Sequence, residues 1–103
     1  MATVTEVFAR SSFSTTPDSL IYQVDPSAIS AVVTNILVVN TSNGPRTFTI
    51  LFDGVEVFKD TLISANSTLS MDLKQALIAP DGEITGSASN TDVKLHMSGV
   101  VIS

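Results

Sequence analysis

The chain has 103 residues, a formal charge of −5 at pH 7 and no cysteine. This length predicts one domain with one hydrophobic core. The lack of cysteine excludes disulfides, thiolate catalysis and sulfur-rich metal sites. Only five residues are basic and they are scattered along the sequence, so we expect neither nucleic acid nor an anionic membrane surface as a partner. Abundant Val, Ile, Thr and Ser favour strands over helices.

The N-terminal region predicts a strand or arm rather than a targeting signal. Met1 to Glu6 contains no basic region followed by an apolar run, and no segment approaches the ~20 apolar residues of a membrane span. We therefore expect synthesis in a cytoplasm. Residues 3–10 predict a strand and residues 11–18 a polar loop, so the chain divides into an N-terminal strand or arm with its loop (1–18) and a β-sandwich domain (19–103).

Two strands follow the polar loop. Residues 19–24 predict a short strand that ends at Asp25-Pro26, because proline lacks the N–H that a strand ladder needs. Residues 32–40 form an almost unbroken apolar run. Such a run is typical of a strand in the middle of a sheet that is covered on both faces.

The next stretch predicts a β-hairpin. Thr47 to Phe52 alternates apolar and polar residues, which is the pattern of a strand with one buried face. Asp53-Gly54 then favours a type I′ turn, because both residues tolerate a positive φ. In the strand from Val55 to Ile63 the apolar residues change face, which predicts a bulge or bend near Phe58.

The C-terminal third predicts three further strands and one ambiguous segment. Residues 68–73 alternate, whereas residues 74–79 fit either strand or a short helix that Pro80-Asp81-Gly82 would stop. Residues 83–88 form a strand of small residues, suited to a sheet edge or to a closely packed neighbour. Residues 93–102 form the last strand, with a bend at Gly99. Eight or nine strands joined by short turns predict an all-β, antiparallel β-sandwich of jelly-roll type, which we prefer to a barrel.

Few residues suggest chemistry. His96 is the single histidine and has no titratable partner at a defined spacing, so we interpret it as a solvent-facing strand residue. Asp53, Glu56 and Asp60 would approach one another around the hairpin and offer oxygens to a hard cation. Their spacing differs from that of calcium-binding loops, so turn and surface positions are the better interpretation.

Neither catalysis nor a bound cofactor is expected. Asp81 and Glu83 flank Gly82 and are interpreted as turn residues, and no serine stands in a Gly-x-Ser-x-Gly elbow. The five glycines are isolated, so no phosphate-binding loop is present. Most phenylalanines are expected in the core. Exposed Tyr22 and Phe13 are the remaining candidates for a ligand platform, of the kind that carbohydrate-binding β-sandwiches use.

The composition favours a homo-oligomer. The mean hydropathy is +0.37 and only 15% of residues are charged. Both values are unusual for a small monomer that must keep its whole surface wet. Contacts between copies would bury part of this surface, although Ser and Thr side chains are an alternative source of polarity.

From about Asn35 onward the chain resembles small β-sandwich virion structural proteins of tailed bacteriophages, which decorate the capsid or belong to the neck or tail. The resemblance rests on five segments in order: residues 35–42, the Thr-rich strand at 46–49, and residues 64–69, 84–89 and 93–100. It covers about two thirds of the chain. Residues 80–83 depart from the Gly-Asp turn expected before the Ile84 strand, and the first thirty residues are not part of it.

The resemblance implies a non-enzymatic virion protein that assembles as repeated copies in a bacterial cytoplasm and contacts other virion proteins. On this hypothesis residues 1–18 reach across to a neighbouring subunit or to the shell beneath. The alternative is a carbohydrate- or receptor-binding β-sandwich module, for which Tyr22 and Phe13 would form the ligand platform.

Overall fold

The computed structural model describes residues 3–78 and 82–103, and within them the chain forms eight strands. Their bounds are β1 (Thr3–Ser12), β2 (Ser19–Gln23), β3 (Ser30–Asn40), β4 (Arg46–Phe52), β5 (Val55–Ile63), β6 (Thr68–Ile78), β7 (Glu83–Ala88) and β8 (Val93–Ile102). The start of the predicted arm (Met1, Ala2) and most of the predicted turn before β7 (Ala79 to Asp81) lie outside the described residues.

The strands form two antiparallel four-stranded sheets. Sheet 1 has the order β1-β8-β3-β6 and sheet 2 the order β2-β7-β4-β5. Only β4 and β5 are consecutive strands of the same sheet; every other step along the chain crosses from one sheet to the other. This alternation is the jelly-roll arrangement of the β-sandwich, so the predicted fold class is confirmed.

Side chains from the inner faces of both sheets meet in one core. The fully or almost fully buried ones include Val33, Ile36, Val38, Phe48, Ile50, Ile84 and Leu95. The ring of Phe48 lies 5.9 Å from that of Phe13 and 5.7 Å from that of Phe58. Aromatic pairs at such distances add to the stabilisation from burial alone. Most phenylalanines therefore lie in the core, as expected.

The N-terminal segment is part of this sandwich. β1 pairs along its whole length with β8, from Thr3 opposite Ile102 to Ser12 opposite Lys94. Phe8 is 6% exposed, and Phe13, just after β1, is 4% exposed. Residues 3–18, which the sequence assigns to an arm, thus supply an edge strand and two aromatic side chains to the core. Deleting them would damage the domain itself.

β3 lies in the middle of sheet 1, between β8 and β6, as predicted. The expectation that both of its faces are covered is wrong. Its inner face is buried, whereas Leu37 and Val39 on its outer face are only half-buried. The register shifts between Val33 and Asn35, and this bulge moves the inward positions by one residue. The bulge explains why Val33 and Ile36 both face inward, whereas Leu37 and Val39 are apolar residues of the outer face.

Gly99 of β8 lies close to a β-bulge in each of the two neighbouring strands of sheet 1. The registers of β1 and β3 with β8 both shift beside Gly99 and Ser98, with Phe8 and Thr34 as the extra residues. A Cβ on Gly99 would collide with the carbonyl oxygen of Val32 and lie 2.7 Å from the Phe8 ring. The bend expected at Gly99 is therefore taken up by bulges in its neighbours, and glycine is needed for their close approach.

The predicted hairpin of sheet 2 is confirmed. Phe52 pairs with Val55 across Asp53 and Gly54, whose φ angles of 52° and 81° are both positive, as a type I′ turn requires. The register of β5 shifts on both sides of Phe58, so the predicted bulge is confirmed. Asp53 also accepts a 2.9 Å hydrogen bond from the N–H of Glu83, which fixes the hairpin to the start of β7.

Two segments resolve the remaining ambiguity. β6 runs without interruption to residue 78, and Leu77 pairs with Ala31 of β3, so the short-helix alternative is wrong for the described part of 74–79. β7 lies in the middle of sheet 2 and not at an edge, and its Gly86 allows the backbone of Thr49 to approach. No helix in residues 3–78 and 82–103 is long and apolar enough to span a membrane.

Candidate functional site

A cleft opens at the end of the sandwich where β1 begins and β8 ends, and we call it the open-end cleft. It has a volume of about 550 Å³ and is lined by Glu6, Tyr22, Gln23, Val24, Asp25, Pro26 and Val101. This volume lies within the range of roughly 300–1,000 Å³ that small-molecule sites occupy. Val4, which belongs to the inward-facing set of β1 and pairs with Val101, is 56% exposed.

Tyr22 is the aromatic residue of the open-end cleft. A bulge at Ile21 turns Tyr22 inward, opposite Ile84, and its ring stacks on Phe8 with 4.3 Å between centroids and 24° between planes. One face of the ring is therefore occupied within the chain. Partial burial raises the pKa of Tyr22 above its ordinary value of 10.0, and the charges of Glu6 and Asp25 raise it further.

The carboxylates make the cleft negative. The Oδ1 atom of Asp25 accepts hydrogen bonds from the backbone N–H of Ser27 at 2.9 Å and from its hydroxyl at 2.8 Å. These bonds lower the pKa of Asp25, so it is ionised at neutral pH. The residues that line the cleft include no basic side chain. The cleft is therefore suited to a neutral polyhydroxyl ligand or a cation, and it repels anions.

Phe13 is not part of this cleft, and the expectation that it is exposed is wrong. Its ring is 4% exposed and packs against Phe48, and its backbone N–H donates to the carbonyl of Val93 at 2.9 Å. Phe13 lies at the end of the sandwich opposite Tyr22. The polar residues around Phe13 indicated exposure, but burying an aromatic ring between two sheets contributes about 2 kcal/mol. The structure therefore does not bring the two predicted platform residues together.

The other sequence candidates lie apart. His96 is half-buried on the outer face of sheet 1, between Arg10 and Leu37. Asp53 accepts the hydrogen bond that holds the hairpin against β7. Glu83, whose N–H donates this bond, is the first residue of β7. Asp81 lies outside the described residues. Within residues 3–78 and 82–103, no three His, Asp or Glu side chains are placed to hold a metal ion together.

The outer face of sheet 1 carries positive charge at one half, and we call that half the basic face. Adjacent strands place Arg10 opposite His96, which in turn lies opposite Leu37. In the next row Lys94 lies opposite Val39, and its Nζ donates to the hydroxyl of Ser12 at 2.8 Å. The basic face thus consists of Arg10, Lys94 and His96 on β1 and β8, together with the half-buried Leu37 and Val39 on the adjacent strand β3.

The outer face of sheet 2 is acidic. A groove of about 490 Å³, which we call the acidic groove, is lined by Pro17, Asp18, Thr49, Leu51, Gly54, Glu56, Lys59, Asp60 and Ser87. Three carboxylates against one lysine make it negative. Its floor is formed by Thr49, Leu51 and Ser87, and the Thr49 hydroxyl accepts a 3.0 Å hydrogen bond from the N–H of Asp60.

Sequence reasoning did not find these two faces. Arg10 and Lys94 are far apart in the chain and become neighbours only because β1 pairs with β8. The alternation of Lys94 and His96 with buried Val93, Leu95 and Met97 indicated which face of β8 they occupy. It did not indicate which strand lies alongside.

Comparison with known proteins shows the fold and no more. No protein family and no curated protein sequence matches the chain. A chain of the T13 particle of infectious bursal disease virus matches with a TM-score of 0.63 and 13% identity, over 98% of this chain and 31% of that chain. The tobacco streak virus coat protein matches with a TM-score of 0.50 and 16% identity, over 98% and 86% of the two chains.

The chain thus spans about a third of the viral-particle chain and most of the coat protein. At such low identity the likeness concerns the arrangement of strands. The molecule therefore has a β-sandwich fold that also occurs in proteins of viral particles.

Proposed function

We propose that this chain is a non-enzymatic structural protein of a tailed-bacteriophage virion, assembled in the bacterial cytoplasm as repeated copies on the capsid, neck or tail. The observation that carries the proposal is the jelly-roll fold, which the chain shares with a viral coat protein over 98% of its length. The segments that resemble tailed-phage virion proteins, from Asn35 onward, point to the kind of virus.

The surface supports a role in assembly. Large apolar side chains are exposed on both sheets and in the loops, among them Val7 at 50%, Leu20 at 59%, Ile29 at 56% and Leu62 at 66%. Contacts with other copies or with other virion proteins would bury them. Catalysis finds no comparable support, since His96 lies on an open sheet face away from the carboxylates of the open-end cleft.

The proposal is tested on virions. Antibodies raised against the purified chain would be applied to particles from the source culture and located by immunoelectron microscopy. We expect label at regularly repeated positions on the capsid, neck or tail, and its loss when the antibodies are first saturated with purified chain. Particles without specific label would contradict the proposal. Light scattering over a range of concentrations should also show a defined oligomer.

The open-end cleft favours a second candidate function, the binding of a carbohydrate or receptor. Its volume of about 550 Å³ and the ring of Tyr22 suit a neutral sugar, and the carboxylates of Glu6 and Asp25 are acceptors for sugar hydroxyls.

A glycan array followed by calorimetry tests this candidate. Tyr22→Ala should abolish binding, while His96→Ala, on the outer face of sheet 1, should not change it. Thermal unfolding of both variants would show whether Tyr22→Ala remains folded, since its ring also packs on Phe8. No glycan bound by the wild-type chain would dismiss this function.

A further inference from the structure

Side chains of opposite charge lie on parts of the two outer faces of the sandwich. Two of the five basic residues, Arg10 and Lys94, lie in adjacent rows of the basic face, and His96 lies opposite Arg10. The carboxylate in the same sheet face, Asp72, lies on β6 and accepts a hydrogen bond from Asn35 at 2.9 Å. The basic half of sheet 1 is thus positive although the whole chain has a charge of −5.

The opposite face has the complementary charge and shape. In the acidic groove, Asp18, Glu56 and Asp60 surround a floor of short side chains, and Lys59 is the single cation among the lining residues. The groove is concave, with about 490 Å³ of space. The exposed Leu20 and Leu62 flank the same sheet face on its two edge strands. Long basic side chains could enter such a groove and reach its carboxylates.

We propose that copies of this chain associate face to face, with the basic face of one copy docked on the acidic groove of the next. The occupant of the groove is then Arg10 and Lys94 of a second copy, and Leu37 and Val39 on the adjacent strand β3 supply an apolar part of the contact. This inference rests on the proposed function, because it states how the repeated copies join.

Such a contact is heterologous, since each copy uses two different surfaces. Repetition of a heterologous contact gives a closed ring when the rotation between copies closes, and an open filament when it does not. The two faces lie on opposite sides of the same sandwich, so each copy that docks leaves one face free for the next. A two-fold dimer through the basic face alone is disfavoured, because it would bring Arg10 and Lys94 of both copies together.

Two charge-reversal variants test the contact, and each alters one face. The first is Arg10→Glu with Lys94→Glu. The second is Glu56→Lys with Asp60→Asn; asparagine is used because Asp60 has a φ of 45°, which asparagine tolerates. Lys74→Glu is the control, since it also reverses one charge but lies at an exposed position on β6, the edge strand of sheet 1 that carries no residue of either face.

Analytical ultracentrifugation of each protein gives the readout. We expect the wild-type chain and Lys74→Glu to associate alike, and each face variant alone to associate at least about tenfold more weakly, because like charges then oppose each other. An equimolar mixture of the two face variants should associate again. In every contact between one variant and the other, a positive surface then meets a negative one. Wild-type association should also weaken as salt is raised from 0.05 to about 1 M.

Several outcomes would overturn the inference. They are a wild-type chain that stays monomeric at every concentration, a salt-independent association, a face variant that associates like the wild type, and a mixture that does not recover. Loss of association in the first variant alone would indicate a two-fold contact and equally overturn it. If the antibodies label virions and any of these results is also found, the proposed function stands and only this contact is contradicted. The salt series on the wild-type chain decides the matter if a variant does not fold.

Discussion

At one end of the sandwich the fully buried Asn40 joins two loops, whereas at the other end the inward-facing Val4 is more than half exposed beside an open cleft. The Nδ2 group of Asn40 donates to the carbonyls of Gly44, Ile63 and Ser64 at 2.9 to 3.1 Å. Its Oδ1 accepts from both the N–H and the hydroxyl of Ser42. We call the first the closed end and the second the open end.

Further contacts reinforce the closed end. Arg46 forms a two-pronged ion pair with Asp92, with nitrogen–oxygen distances of 3.0 and 3.1 Å. Thr41 donates twice to the carbonyl of Asp92, and Phe13 is tied to Val93. Among the described residues the open end has fewer such links, and Glu6 and Asp25 line its cleft. Buried hydrogen bonds fix the loops of the closed end, while the open end keeps a surface that a ligand or partner can contact.

Although the open end has a cleft, the strands next to it are closely packed around Gly99. Gly99→Ala tests this packing. We expect a loss of about 3 kcal/mol in the free energy of unfolding, because the added Cβ would collide with the carbonyl of Val32 and press on Phe8. Chemical denaturation measures the change. Gly44→Ala at the closed end is the matched control, since its Cβ would meet only Arg46 at 3.4 Å. Equal stability of the two variants would contradict the close packing of β1 and β3 around Gly99.

Asn40→Ala should open the closed end. We expect a loss of about 2 kcal/mol, because several backbone groups that Asn40 bonds would be left buried without a partner. Hydrogen exchange should accelerate in the loops at residues 41–45 and 64–67 and stay unchanged in the loop at 53–54. Asn43→Ala is the control: Asn43 lies in the same loop, is exposed and accepts one 3.3 Å bond from Asn66. A uniform acceleration across the chain would argue against a local role.

Arg46→Met should have a smaller effect at the same end. The Arg46 and Asp92 side chains are 26% and 30% exposed, so we expect a loss of about 1 kcal/mol at low salt. The loss should shrink in 1 M salt, where exposed charges are screened. Lys59→Met, at an exposed position on β5, provides the baseline. An effect of the same size at both salt concentrations would mean that packing rather than charge is responsible.

The smallest expected effect concerns the open end and is seen in the titration of Tyr22. Its raised pKa means that the folded chain keeps the phenol proton above pH 10 while the unfolded chain releases it. The associated stability is complete below pH 10 and is lost as the pH rises through the folded-state value. Since Tyr22 is the single tyrosine and there is no tryptophan, its absorbance measures this directly.

Glu6→Gln should move the midpoint of that titration back towards 10, because one of the charges that raises it is removed. Asp72→Asn, on β6 of sheet 1, should leave the midpoint unchanged. A midpoint that does not respond to Glu6→Gln would show that the charge of Glu6 does not perturb Tyr22, which would leave burial and Asp25 as the causes of the shift.

Local patterns in the sequence determined the fold class and several of its details. Three of these details depend on neighbours within a few positions along the chain. They are the alternation in residues 47–52, the positive φ angles at residues 53 and 54, and the change of face around Phe58. The jelly-roll prediction also came from the number of strands and their short turns. Such features follow from backbone geometry and periodicity, which a single sequence carries.

The candidate site was far less accessible from the sequence. Tyr22 was identified, but its stacking on Phe8 and its place beside Glu6 depend on how β1 and β2 meet across the two sheets. Phe13 was expected on the surface and lies in the core.

What only the tertiary structure decided is which strands lie side by side and which face each one presents. The residue-34 bulge in β3 places Val33 and Ile36 on the same inner face, and the pairing of β1 with β8 places Arg10 beside His96. A one-residue change of register moves every following side chain to the other face. Register is set by contacts between residues far apart in the chain, so the charged faces exist only in the folded molecule.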